Sequence, residues 1–138
     1  MKKVYIAGPL FNIHEKRYLE EIAEVLESNG YNCFLPHRDQ VVELEERRST
    51  DHMSQETKDT IFQTDLDALK KADITVALIT GQDIDSGTSS EIGYTYAMKK
   101  PVLAIDADER RYRNLFVEGM LTVTINDTSQ LLETIENL

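Results

Sequence analysis

Five short apolar runs alternate with longer polar or amphipathic segments along this chain, and that alternation constrains the fold more than any other feature. The runs are Val4-Tyr-Ile-Ala7, Tyr31 to Leu35, Ile74-Thr-Val-Ala-Leu-Ile79, Pro101-Val-Leu-Ala-Ile105 and Leu121-Thr-Val-Thr-Ile125. Helical spacing fills most of the intervals. From His14 to Ser28, the residues Tyr18, Leu19, Ile22, Val25 and Leu26 form one stripe, and Asn29-Gly30 marks a stop. Further helices are predicted from about Gln55 to Lys71, from near Thr88 to about Lys99, and from Ser129 to Leu138. Strands that alternate with helices are joined by right-handed crossovers and lie parallel. The predicted fold is therefore α/β, a flavodoxin-like or Rossmann-like three-layer sandwich with a parallel sheet of about five strands. A length of 138 residues suits a single domain over 1–138. The stretch from Val41 to Thr57 is charged, mixed and without a readable period, and Asp106 to Asn114 is polar.

Charge narrows the choice of partners. The formal net charge is −10, which disfavours nucleic-acid polymers and anionic membranes, since both are bound through Lys and Arg. Met-Lys-Lys at the start precedes only a short apolar run that Gly8-Pro9 breaks, so no secretion signal is expected there and the chain reads as cytoplasmic. The lone Cys33 falls in a predicted strand and reads as a buried thiol. His14, His37 and His52 are scattered without metal spacing and read as surface residues, so no metal site is expected.

Chemistry is expected where the third apolar run gives way to the next helix. Ligands of open α/β sheets bind beyond the carboxyl ends of the strands, and Asp85-Ser-Gly-Thr-Ser-Ser-Glu91 lies at such an end. Glu91 has two readings. Thr88-Ser-Ser-Glu91 fits a capping box, in which Glu folds back on the helix start. Alternatively, Glu91 is a positioned carboxylate, kept ionised by nearby backbone N–H groups and able to attack a sugar anomeric carbon. Asp85 is either a turn residue or a hydrogen-bond acceptor for a substrate hydroxyl. Asp65 falls on the apolar stripe of its helix, between Ile61 and Leu69, whereas Asp67 points outward. A carboxylate on a buried face must be paired, hydrogen-bonded or protonated. It is either a structural Asp bonded to loop backbone or a functional group. Phe11 reads as core or as a stacking platform. Tyr5 reads as half core with its hydroxyl at a pocket. The Ala7-Gly-Pro-Leu-Phe-Asn12 loop lacks any phosphate-binding fingerprint.

Tyr5-Ile-Ala-Gly-Pro-Leu-Phe11, Pro36-His-Arg-Asp-Gln40, Asp65 and Asp85-Ser-Gly-Thr-Ser-Ser-Glu91-Ile-Gly-Tyr, in this order, resemble the nucleoside 2-deoxyribosyltransferase family. The resemblance covers most of the chain. It implies transfer of 2-deoxyribose between nucleobases, with no cofactor, on deoxynucleoside and nucleobase substrates. By position, Glu91 would be the nucleophile at C1′, Tyr5 would orient it, and Asp65 would assist the departing base. Asp85 would bind the sugar 5′-hydroxyl, and Phe11 and Gln40 the base, with Gly8 and Gly87 lining the substrate. Asn114 would reach the site of a neighbouring subunit, so a homo-oligomer is implied. A carboxylate at position 85, where a phosphate-accepting branch has a small hydroxyl residue, implies an unphosphorylated substrate. Hydrolysis of the same bond and a non-catalytic binding module on the same fold are the competing readings. A receiver-type domain fits less well, because the first strand ends in Ala-Gly-Pro rather than in acids.

Overall fold

The computed structural model describes residues 2–41, 53–80, 83–106 and 114–138. Within them, five parallel strands form one sheet: β1 (Lys3–Ala7), β2 (Asn32–Phe34), β3 (Ile74–Leu78), β4 (Val102–Ile105) and β5 (Val123–Ile125), in the order β2-β1-β3-β4-β5. Six helices accompany them: α1 (Ile13–Glu27), α2 (Pro36–Asp39), α3 (Gln55–Lys71), α4 (Ser86–Ala97), α5 (Leu115–Glu118) and α6 (Leu131–Glu136). The strand order is that of a flavodoxin-like doubly wound sheet, whose order of strand addition reverses between β1 and β3.

The central strands are apolar on both faces because both faces are covered. Val4 and Ile6 of β1 join Leu19, Ile22 and Leu26 of α1 in one core, with Leu131 and Ile135 of α6. Tyr5 and Ala7, which point the other way, join Leu69 of α3 and Ile92 of α4 in a second. Cys33 is buried, and burial pushes its thiol up to about 12. Gly30 carries a φ of 89° just past α1, where the chain must turn left-handed before β2.

Several element boundaries differ from the expected ones. Pro36, expected only to end the second strand, also opens α2, since its missing N–H costs nothing at a first helical position. The last predicted helix divides into a 3-10 turn over Thr128–Gln130 and α6. α5 had no sequence signal, being only four residues long. His37 is not a surface residue: its side chain is 14 % exposed, with Nε2 2.9 Å from Glu20 Oε1. His14 is exposed as expected, whereas His52 and most of Val41 to Thr57 lie outside the described residues. Among the described residues no helix is long and apolar enough to cross a membrane.

Candidate active site

The loop after β3 enters α4 through an Asp cap. Asp85 Oδ2 accepts from the Thr88 backbone N–H at 3.1 Å, and the helix begins at Ser86 rather than near Thr88. The capping role that Thr88-Ser-Ser-Glu91 suggested for Glu91 thus belongs to Asp85. Glu91 is the sixth residue of α4, beyond the first turn where free N–H groups and the helix dipole act. Its Oε2 instead accepts a very short hydrogen bond from the Tyr5 hydroxyl on β1. The expectation that backbone N–H groups keep Glu91 ionised is therefore corrected. Burial raises its pKa to about 7, the Tyr5 bond pulls it down, and the charges of Asp65 and Asp85 push it further up.

Tyr5 is fully buried rather than half core. Its ring stacks on Phe34 at 5.6 Å between centroids. Burial, then the charges of Glu91 and Asp65, hold its phenol far above the ordinary range. It remains a hydroxyl donor at any working pH. Its hydroxyl does not open on a pocket but backs Glu91 from behind.

A cavity of about 690 Å³ lies in front of Glu91, at the carboxyl edge between β1 and β3. Its size is that of a small-molecule site, and its place is the reversal point where such sheets bind ligands. Gly8, Leu10 and Phe11 wall it from the loop after β1. Phe62, Asp65, Leu66 and Leu69 come from α3, and Asp85, Gly87, Glu91 and Tyr94 from around α4. The wall is largely apolar, with three carboxylates and no Lys or Arg among its described residues. Phe11 is 78 % exposed, which excludes the core reading and leaves its ring free as a platform. Gly8 lines the cavity, yet its need for glycine is a packing matter. A Cβ there would stand 2.6 Å from Leu19 Cδ2 and 3.2 Å from Leu78 Cβ.

Asp65 projects from α3 to the same cavity. Its partner is neither an ion nor loop backbone: Gln40 Nε2 donates to Oδ1 at 2.7 Å and to the Ile61 carbonyl at 3.3 Å. Two acceptors around one amide end require the NH₂ group there, so the orientation of Gln40 follows from its neighbours. With both hydrogens engaged, Gln40 holds Asp65, and it does not itself line the cavity. Burial raises Asp65 to about 6, against the pull of the Gln40 bond. Gln40 follows α2, which is braced by Arg38. The guanidinium spans both oxygens of Glu27 on α1 at 2.9 Å and meets Asp39 at 2.8 Å.

The structure thus gathers Glu91, Tyr5, Asp65, Asp85, Phe11, Gln40, Gly8 and Gly87 at one edge of the sheet. Asn114 stands apart. It is exposed, and its Oδ1 caps α5 by accepting from Phe116 and Val117 N–H at 3.0 and 3.1 Å. Phe62 and Tyr94 were not singled out from sequence. Each lies three residues from a singled-out acid, Asp65 or Glu91, and that helical spacing was the available signal.

The sequence matches the family model described as nucleoside 2-deoxyribosyltransferase over residues 4–134. No curated protein matches it. Among solved structures, a conserved protein from Enterococcus faecalis V583 is similar with a TM-score of 0.82 and 25% identity, over 99% of this chain and 98% of that one. A 2-deoxyribosyltransferase from Bacillus psychrosaccharolyticus gives 0.78 and 28% identity, over 94% and 89%. A 2-deoxyribosyltransferase from Leishmania mexicana shares the fold, with a TM-score of 0.56 and 20% identity over 78% and 66%.

Proposed function

The chain belongs to the nucleoside 2-deoxyribosyltransferase family, and on that premise we propose that it transfers 2-deoxyribose between nucleobases through a covalent Glu91 ester, with retention of configuration. The observation that carries this reading is the Tyr5–Glu91 pair at the wall of a cavity that also holds Asp65. Tyr5 engages Oε2, which leaves Oε1 to attack C1′. The C1′–N bond breaks as the departing base takes a proton from Asp65. A carboxylate opposite the leaving group stabilises the oxocarbenium-like state. The incoming base then attacks C1′ of the ester, Glu91 leaves as carboxylate, and Asp65 recovers the proton. Two displacements at one carbon return the original configuration. Phe11 and Phe62 would sandwich or flank the planar base, and Asp85 Oδ1 would accept from the 5′-hydroxyl.

The direct test is to incubate the protein with thymidine and adenine and separate the products. Deoxyadenosine with retained anomeric configuration, and a deoxyribosyl adduct on the Glu91 peptide, are expected. Free thymine without deoxyadenosine would convert the reading to hydrolysis.

The acidic wall also sets the expected form of the substrate. A phosphate dianion placed beside Asp85 meets like charge at close range. Deoxynucleosides are therefore expected to be used in preference to their 5′-monophosphates. Asp85→Ser, which retains a capping oxygen, is expected to narrow that preference by about tenfold or more, as for loss of one close repulsion. Competition assays with thymidine and its monophosphate would read the ratio, and a wild-type preference for the monophosphate would overturn the assignment.

A homo-oligomer belongs to the same proposal. Tyr96, Leu115 and Phe116 are exposed together beside a second hollow that shares Ser90 with the wall of the first, and contiguous exposed apolar area marks an association surface. Light scattering that returns a monomer mass at micromolar concentration would reject it.

A further inference from the structure

α4 carries the proposed nucleophile and buries few of its side chains fully. Of its twelve residues only Thr88, Ile92 and Thr95 are buried, so Ile92 is its one fully buried large apolar side chain, with Tyr94 partly buried against the same core. Ile92 packs in a core with Tyr5, Leu69, Ala77, Ile79, Val102 and Ala104. Dispersion contacts are individually small and non-directional, and resist a small slide or turn of a helix weakly.

Direction comes from two buried hydroxyls. Thr95 Oγ1 donates to the Glu91 carbonyl at 2.8 Å, and Thr75 Oγ1 lies 2.7 Å from Thr95 Oγ1. A carbonyl only accepts, so the single Thr95 proton is committed to Glu91 and Thr75 must be the donor to Thr95. The chain of bonds therefore runs from β3 to the backbone of Glu91. Thr75 is also the register partner of Tyr5 on the adjacent strand. The two anchors thus sit side by side on the sheet, about 4.8 Å apart. Glu91 and Thr95 sit one above the other on the helix, about 6 Å apart. Tyr5 holds the Glu91 side chain while Thr75, through Thr95, holds its main chain. Two directional links to neighbouring strands oppose both rotation and translation of α4, which one link cannot do.

We propose that the Thr75–Thr95 hydroxyl pair is the register pin of α4, and that both threonines are positioning residues which set Glu91 against the Tyr5 hydroxyl and the cavity. This rests on the reading of Glu91 as the nucleophile. The test is the double variant Thr75→Val/Thr95→Val, assayed for base exchange beside Glu91→Ala and Thr95→Ser. Replacing both partners of a buried hydrogen bond by methyl groups of the same shape is close to neutral for folding. The unfolding midpoint is therefore expected at or above the wild-type value. kcat is nevertheless expected to fall about 10- to 100-fold, the scale of a sub-ångström to ångström misplacement, with KM little changed. Thr95→Ser, which keeps the hydroxyl, is expected to recover most of kcat. Wild-type kcat in the folded double variant overturns the pin while Glu91→Ala is inactive. Activity in Glu91→Ala overturns the nucleophile and the pin together. If the double variant does not fold, Thr75→Val alone leaves the Thr95–Glu91 bond in place and is read against the same two outcomes.

Discussion

Glu91→Gln is expected to lose base exchange by about 10³-fold or more in kcat/KM, the scale of removing a nucleophile, and to become more stable than the wild type at pH 8. The second effect follows from burial. Glu91 titrates at about 7 in the folded protein against an ordinary value of 4.5. Above 4.5 the unfolded chain releases this proton and the folded chain retains it, so stability falls as pH rises from 4.5 to about 7. The whole cost, on the order of 3 kcal/mol at 1.36 kcal/mol per pH unit, is present above about 7 and absent below 4.5. Gln removes the charge yet offers Tyr5 an acceptor of the same shape. Unfolding by urea at pH 8 and at pH 4.5 is the check. A gain at pH 8 that vanishes at pH 4.5 is expected. An active Gln variant would reject the nucleophile, and an inactive one without the pH-dependent gain would reject the burial account.

Asp65→Asn is expected to lower kcat/KM by about 10²- to 10⁴-fold, the usual contribution of a general acid, and to change the shape of the pH profile. Asp65 and Glu91 line one cavity and titrate at about 6 and about 7, and the Asp65 charge is among the causes that raise Glu91. Such a pair shares one proton between the two values and titrates as a unit. Glu91, with the higher value, holds that proton in most molecules, and the productive form is the minor one, with the proton on Asp65 and the charge on Glu91. A second proton, gained below about 6, neutralises the nucleophile; loss of the last, above about 7, leaves the departing base without a donor. The wild-type profile is therefore a narrow bell between these values. In Asp65→Asn the alkaline limb disappears. The acid limb remains, because Asp65 is already uncharged in the form from which Glu91 ionises there. A profile with the same alkaline limb in the variant would remove Asp65 from the proton path.

How much of this was legible before folding differs residue by residue. The strands were readable because burial on both faces leaves nearly continuous apolar runs such as Ile74–Ile79, interrupted only by Thr75. Asp65 was readable because a carboxylate on an apolar stripe breaks the period that packing imposes. The start of α4 was misjudged because Thr88-Ser-Ser-Glu91 obeys local capping grammar as well as Asp85-Ser-Gly-Thr88 does. Local rules rank such caps almost equally, and the competitor that captured Glu91, the Tyr5 hydroxyl, lies 86 residues away. The resemblance implies Gln40 as a base contact, and its amide bond to Asp65, across 25 residues, had no signal in the sequence. α5 was invisible since four residues do not complete a helical period.

By itself, the sequence determined the layer architecture, the parallel sheet and the edge at which the carboxylates gather. These depend on hydrophobic period and strand–helix order, and both are properties of neighbours in the chain. Only the tertiary structure decided what each carboxylate does there. Asp85 caps, Glu91 leans on a buried phenol, and Asp65 is held by an amide. The Asp85 cap is local, three residues from Thr88, but the partners and burial of Glu91 and Asp65 are supplied by segments brought together only when the sheet is formed.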